Sequence, residues 1–267
     1  MSTAVVTGGG RGLGLAIARR LAAQGLAVLI TDLDAEAADH AARSLGAPAW
    51  SAALDVRDPE ACREVAREAA TRGALSVWVN NAGVLFAGSA WGHSDAEVEL
   101  TVAVNLLGVV HGSRAALEQM ADGGRILNVA SLSALGLAPG LAVYAASKHA
   151  VLAFGTSLAA DLHAAGRRIE VRTLCPDVID TRMVRDQVDS PEAAILWSGP
   201  APLAVDDVAD RAMTLLAGPR PRAVVPAWRG ELLRFLYRFP RLALPTLSLL
   251  ARLGRERRER WRRRTGA

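Results

Sequence analysis

The sequence predicts a doubly wound α/β domain, a parallel sheet of seven strands with helices on both faces, followed by a C-terminal amphipathic helical extension. Three observations carry that prediction. Short β-branched runs alternate with Ala- and Leu-rich stretches of helical length as far as residue 220. The runs are apolar at successive positions, as strands buried on both faces must be. The first run opens into a glycine-rich turn ahead of a helix, where such sheets hold ligands.

In order, strands are predicted at Thr3–Thr7, Ala27–Thr31, Ala49–Ala53, Ser76–Val79, Arg125–Ala130, Ile169–Leu174 and Ala223–Val225. Helices fill 12–24, 34–45, 58–72, 95–121, 143–165 and 206–217, long enough to return the chain for the next parallel strand. No repeat or linker interrupts residues 1–227, which read as one domain, with 228–267 as a basic tail.

A chain of 267 residues, 51% hydrophobic and 22% charged, buries a core without disulfides. Its two cysteines, Cys62 and Cys175, point to a reduced compartment and exclude a disulfide scaffold or a cysteine-rich zinc site. Five histidines, none paired at ligand spacing, give no reason to expect a metal. A strand-like segment follows Met1 almost at once, so no secretory leader is expected and the cytoplasm is the expected location. The net charge of +4 is uneven: residues 229–267 hold 12 Arg against 3 acids, leaving residues 1–228 at −5. A mildly acidic body is unlike a nucleic-acid-binding domain, and no nucleic-acid partner is expected.

The first strand runs into Thr7-Gly8-Gly9-Gly10-Arg11-Gly12-Leu13-Gly14. Glycines there let the backbone turn tightly and approach a pyrophosphate at the positive end of the next helix. No Gly-Lys-Ser/Thr follows, which excludes a triphosphate-binding loop. Asp32 closes the second strand 18 residues beyond Gly14, near where an acid meets the adenosine ribose. A carboxylate accepts from both ribose hydroxyls and repels a 2′-phosphate, which favours NAD. Arg11 could neutralise such a phosphate and leaves NADP open. Asp32 could instead cap the following helix, as could Asp34. Asp55, after the third strand, could reach the adenine edge.

Tyr144 and Lys148 lie four residues apart on a predicted helix and share a face. An ammonium beside a phenol favours the phenolate, lowering a pKa that is ordinarily about 10 and suiting the group to proton exchange with an alcohol or carbonyl. Alone, such a pair is an ordinary exposed helix pairing, so its neighbours decide. Asn80-Asn81-Ala82-Gly83 follows the fourth strand, and Asn105 lies in the next helix. Ser131 sits just past the fifth strand, 13 residues before Tyr144, a spacing that Ser133 does not meet.

In these motifs, their order and their spacing, residues 3 to about 227 resemble the short-chain dehydrogenase/reductase family in its single-domain Rossmann form. The resemblance implies hydride transfer between a nicotinamide cofactor and a carbonyl or alcohol. It implies Tyr144 as acid/base, Ser131 as the group that orients the substrate oxygen, and Lys148 as the group that lowers the Tyr144 pKa and binds the nicotinamide ribose. Asn105 would hold a relay water at a local break in its helix. Cofactor contacts are implied for Thr7, Gly8, Gly10, Arg11, Gly12, Leu13, Gly14, Asp32, Asp55, Val56, Asn81, Ala82, Gly83, Tyr144, Lys148, Pro176, Val178 and Thr181. Homodimers or homotetramers are implied through helices 95–121 and 143–165. The family commonly has Pro-Gly after the sixth strand; here it is Pro176-Asp177, an acid near the mouth of the site. Cys175, with no base beside it, reads as a small buried residue.

Residues 182–205 fall where the family carries a substrate lid. Met183, Val184, Ile195, Leu196 and Trp197 give it an apolar lining, with Pro191 and Pro200 limiting its conformations and Trp91 contributing from outside. A hydrophobic carbonyl or alcohol, steroid-, terpenoid-, polyketide- or lipid-like, fits that lining better than a sugar. In the tail, Leu232, Phe235, Leu236 and Phe239 recur at i, i+3, i+4 and i+7, while Arg234, Arg238 and Arg241 mark another face. Leu242–Ala251 is uncharged but holds Pro245 and is far shorter than the roughly 20 residues a bilayer span needs. Peripheral attachment to the inner face of a membrane, with Arg255–Arg264 on anionic headgroups, competes with a tail packed on a neighbouring subunit. Two readings compete with the enzyme. One is a non-catalytic dinucleotide sensor or scaffold, which should lack the tyrosine or the lysine; the other is a membrane-attached module resting on the tail alone.

Overall fold

The computed structural model describes residues 1–199 and 201–265; Pro200, expected to limit the lid, and Gly266–Ala267 of the tail lie outside the described residues. Strands β1 (Ser2–Thr7), β2 (Ala27–Asp32), β3 (Trp50–Ala53), β4 (Ala74–Asn80), β5 (Arg125–Val129), β6 (Glu170–Pro176) and β7 (Arg222–Val225) form one parallel sheet in the order β3-β2-β1-β4-β5-β6-β7. In chain order the helices are α1 (Gly12–Ala23), α2 (Ala35–Leu45), α3 (Pro59–Arg72), α4 (Asp95–Val102), α5 (Gly108–Gln119), α6 (Ala142–Ala164), the one-turn α7 (Arg182–Arg185), α8 (Val205–Ala217), α9 (Ala227–Arg238) and α10 (Pro240–Thr265). The strand order reverses at β1, which pairs with β2 from Thr3 opposite Ala27 to Thr7 opposite Thr31 and with β4 on its other side. That reversal opens a crevice at the carboxyl ends of β1 and β4.

Both faces of the sheet are covered, which explains why its strands read as continuous apolar runs. On one face Ile17 and Leu21 of α1, Ala38 of α2 and Val208 and Leu215 of α8 pack on Val6, Ile30, Leu127 and Leu174. On the other, Val65 and Ala69 of α3, Ala116 of α5 and Leu162 of α6 pack on Val5, Leu29, Trp78 and Ile126. The stretch Asp95–Gln119 is long and apolar enough to cross a bilayer, yet nearly half of its apolar window is buried in the core. The starts of α2, α3 and α4 are fixed by side chains. Asp34 accepts from Ala37 N at α2, Asp58 accepts from Glu60 N and Ala61 N at α3, and Ser94 and Glu97 form a reciprocal capping box at α4, each cap contributing about 1 kcal/mol.

The tail folds back on its own chain. Helix α10 lies along the 3-10 turn Pro191–Trp197 of the lid, where Trp261 meets Trp197 with ring centres 6.1 Å apart. Arg257 donates to the carbonyls of Ser198 and Gly199, Arg258 donates to that of Ser190, and Arg262 pairs with Asp189. Part of the basic run expected to meet headgroups or a neighbouring subunit is therefore spent on the lid. The apolar face predicted for α9 is split: Leu236 turns inward against Ala243 and Leu247, while Leu232, Phe235 and Phe239 stand exposed with Trp228. Leu233 and Leu236 face inward instead, with the ion-paired Arg229 one turn before Leu233 on the same side, so apolar residues occur on both sides of the helix.

Candidate active site

The crevice at β1 and β4 continues into a cavity of about 710 Å³. Its floor is the glycine turn. Gly8 (φ +60°) and Gly12 (φ +55°) adopt left-handed backbone that suits glycine, and a Cβ on Gly14 would collide with the Gly8 carbonyl. Gly8, Arg11, Gly12 and Leu13 line the cavity, whereas Thr7, Gly10 and Gly14 stand behind the wall and shape it. Thr7 Oγ1 accepts from the backbone of Asn81 and Ala82 at 3.0 and 3.1 Å, and Asn81 Nδ2 donates to the carbonyls of Thr7 and Gly8 at 3.0 and 2.9 Å. These bonds fix the loop after β4 against the turn. Helix α1 begins without a side-chain cap and without an acid in its first turn. Its leading amides are therefore a ready anion site, and the turn fits a dinucleotide diphosphate.

The two acids after β2 divide the roles left open in the sequence. Asp34 caps α2 and pairs with Arg11 at 2.8 Å. Asp32 accepts from Gly10 N at 3.1 Å and Asp34 N at 3.2 Å and faces the cavity. Arg11, expected as a phosphate partner, is thus already engaged. Asp55, Val56, Asn81, Ala82 and Gly83 line the same end, with the Arg57 guanidinium holding the Asp55 carboxyl below its ordinary range.

Ser131, Tyr144 and Lys148 meet on the wall beyond. Ser131 follows β5 at the start of a 3-10 turn, and its Oγ accepts from Ser133 N at 3.1 Å. Lys148 is buried one helical turn past Tyr144, its Nζ 5.7 Å from the phenol ring centre and donating to Val129 O at 3.0 Å. Burial pushes Lys148 down to about 8. Burial also pushes Tyr144 up to about 12, with the Ser131 hydroxyl pulling only partly against it. The acidified phenol expected from the sequence is therefore not the state of this chain by itself. Desolvation of the phenolate wins, and the ammonium spends a bond on a carbonyl rather than on the phenol oxygen.

The helix break expected at Asn105 is a five-residue π-helical stretch, Ala103–Leu107. The Asn105 amide is buried off the cavity wall, accepting from Val84 N at 2.8 Å and donating to Val84 O at 2.9 Å and Ser147 Oγ at 3.2 Å. It ties this helix to the loop after β4 and to α6. Pro176, Val178 and Thr181 line the cavity after β6, as do Met183, Val184, Ile195 and Leu196 of the lid. Trp197 does not: α10 covers the outer side of the turn and draws the indole to Trp261. Trp91 stands 91% exposed, away from the site. Cys175 is fully buried and its thiol pushed up to about 11, an inert core residue. The sequence reading missed Leu33, Leu85 and Leu141 on the wall and, from the tail, Arg229, Leu233, Leu247 and Leu250. Asp177 was noted as an anomaly; its partner, Arg229, carries no spacing signal that could have announced it.

Fold and site together define a Rossmann-type oxidoreductase for hydroxyl or keto substrates with a nicotinamide cofactor. The chain belongs to the short-chain dehydrogenase/reductase family: the family profile described as short chain dehydrogenase matches residues 2–192. It is 37% identical over 228 residues to a 1-deoxy-11-beta-hydroxypentalenate dehydrogenase of Streptomyces avermitilis, covering 82% of each chain. It is 36% identical over 205 residues to a 2-(R)-hydroxypropyl-CoM dehydrogenase of Xanthobacter autotrophicus, covering 71% of this chain and 79% of that one. Among solved structures, a short chain dehydrogenase/reductase from Burkholderia phymatum in complex with NAD superposes with a TM-score of 0.80 at 27% identity, covering 90% of this chain and 94% of that one.

Proposed function

We propose that the chain is an NAD-dependent dehydrogenase or ketone reductase for an apolar alcohol or carbonyl. The observation that carries this reading is the meeting of Ser131, Tyr144 and Lys148 on one cavity whose remaining wall is largely aliphatic. When bound, the nicotinamide ring accepts or supplies the hydride. The amides at the start of α1 hold the diphosphate, Asp32 accepts from the adenosine ribose, and Asn81, Ala82 and Gly83 flank the cofactor groove. Lys148 donates to the nicotinamide ribose, and Thr181 bonds the carboxamide. Ser131 donates to the substrate oxygen and fixes its direction. Tyr144 gives that oxygen a proton during reduction and takes it back during oxidation. In the cofactor-free chain the buried phenol keeps its proton at neutral pH, and oxidation gains as pH rises. The ribose-facing carboxylate of Asp32 and the engagement of Arg11 by Asp34 support NAD over NADP. The dehydrogenase names of the relatives support a hydroxyl-bearing substrate.

A panel of apolar ketones and alcohols, followed by nicotinamide absorbance with NADH and NADPH in parallel, tests this. Turnover with preference for NADH is expected. Cofactor binding without turnover of any member would favour the sensor reading. The family resemblance supports a homodimer or homotetramer through Asp95–Gln119 and α6, which light scattering on the purified chain tests.

A second reading concerns location: a cytoplasmic enzyme attached peripherally to a membrane. Trp228, Leu232 and Phe235 form an exposed stripe along α9, about 10 Å long at 1.5 Å per residue, and the exposed Phe239 follows just past the helix end. The exposed Arg238 and Arg241 lie close by in the chain, a pairing suited to an anionic interface. Sedimentation with phosphatidylglycerol vesicles should carry the protein down and spare a Trp228→Ser, Phe235→Ser variant. Equal partitioning of the two would dismiss the attachment.

A further inference from the structure

Part of the cavity wall is built by the tail: Leu233 of α9 and Leu247 and Leu250 of α10 line it, with Arg229 beside Asp177. Asp177 follows the last residue of β6, and its N–H donates to Val225 O at 2.7 Å, giving the carboxylate a fixed origin. Arg229 donates to that carboxylate and, through its other terminal nitrogen, to Ser198 Oγ at 3.3 Å. Both side chains are nearly sealed from solvent, 12% and 11% exposed. One guanidinium therefore joins the end of β6, the end of the lid and the first turn of α9. Glycine at 199 leaves it room, since a Cβ there would overlap the guanidinium. Removing either partner would strand a buried charge, which makes the pair costly to break.

We propose that Asp177 and Arg229 are positioning residues that seat the C-terminal helices as the substrate-selecting wall, and that Leu233, Leu247 and Leu250 set the length of apolar substrate accepted. The proposal rests on the oxidoreductase reading. Because Arg229 is satisfied by Asp177, the tail residues that line the cavity offer no free charge among the described residues, and the wall selects by shape and apolar contact; an ionised substrate group against it would be buried without a partner. Leu247 and Leu250 pack with Leu236, Ala243, Leu137 and Ile195, none of them assigned to proton transfer, so these two can be altered with the proton-transfer residues left in place.

The test uses the full chain, saturating NADH and straight-chain methyl ketones of increasing length. Leu247→Ala and Leu250→Ala should shift the preferred length upward, raising kcat/KM for the longest ketones about tenfold relative to that for the shortest. Arg229→Met should raise KM about tenfold across the series with NADH affinity unchanged, and Arg229→Lys should recover part of that loss. Thermal melts and NADH fluorescence titration report folding and cofactor binding for each variant. If Arg229→Met does not fold, the two leucine variants still decide. A wild type that turns over with the same length profile as both leucine variants overturns the proposal and leaves the oxidoreductase reading intact. A wild type that reduces no ketone while binding NADH overturns that reading instead.

Discussion

Lys148 is the one lysine in the sequence, so a perturbation of its charge can be read without interference from others. Burial carries its pKa from the ordinary 10.5 to about 8, a displacement equivalent to about 3 kcal/mol. Between those values the unfolded chain keeps the proton that the folded chain has lost. The unfolded state then binds more protons, and this group makes stability rise with pH across the window from about 8 to 10.5. Other groups run against it: the thiols of Cys62 and Cys175, held protonated by burial, and the Tyr144 phenol favour the folded state less as pH rises above their unfolded values. The difference between wild type and Lys148→Met isolates the lysine. Urea unfolding of the cofactor-free proteins should show the variant more stable at pH 7, with the gap closing by about 2–3 kcal/mol by pH 10. Isotope-enriched lysine gives a single NMR resonance whose midpoint should fall near 8. A midpoint at the ordinary lysine value, or a gap independent of pH, would refute the reasoning.

Asp32→Ala removes the cavity-facing carboxylate proposed to accept from the ribose; on that proposal NAD affinity should fall about 10- to 100-fold and the proposed preference over NADP should shrink, as fluorescence titration of both reduced cofactors would reveal. Asn105→Ala strips both backbone groups of Val84 of their partner and should cost about 1–3 kcal/mol in urea unfolding; an unchanged midpoint would mean those groups are satisfied otherwise. Gly14→Ala forces a Cβ onto the Gly8 carbonyl and should cost about 1–3 kcal/mol together with NADH affinity, whereas tight NADH binding by that variant would show that the turn can yield.

The sheet was legible because its inner strands are buried on both faces, and continuous apolar runs such as Ala27–Thr31 have no other easy explanation. Boundaries moved where pairing extends a run: β4 starts at Ala74, opposite Ser2, and β6 continues to Pro176, a proline tolerated because it ends the strand. The clustering of Ser131, Tyr144 and Lys148 was legible because helix spacing and strand ends fix direction. Their ionisation was not, since desolvation depends on depth, which periodicity does not encode. The division of labour between Asp32 and Asp34 needed the backbone path around Ala37. The tail defeated pattern reading for a different reason. Both sides of α9 carry apolar residues, Leu233 and Leu236 beside the ion-paired Arg229 on one and Trp228, Leu232 and Phe235 on the other, and only the fold-back of α10 onto the lid decides which side is inner. Trp197 was misassigned by the same omission, because nothing local announces Trp261 as its neighbour.

Single-turnover hydride transfer by Tyr144→Phe, measured beside NADH binding on the same preparation, bears most directly on the central assignment. The phenol ring and its packing persist while the exchangeable proton is gone. Transfer should slow by about 10²- to 10⁴-fold with the dissociation constant for NADH little changed. Transfer at the wild-type rate would contradict the assignment of Tyr144 as the proton donor.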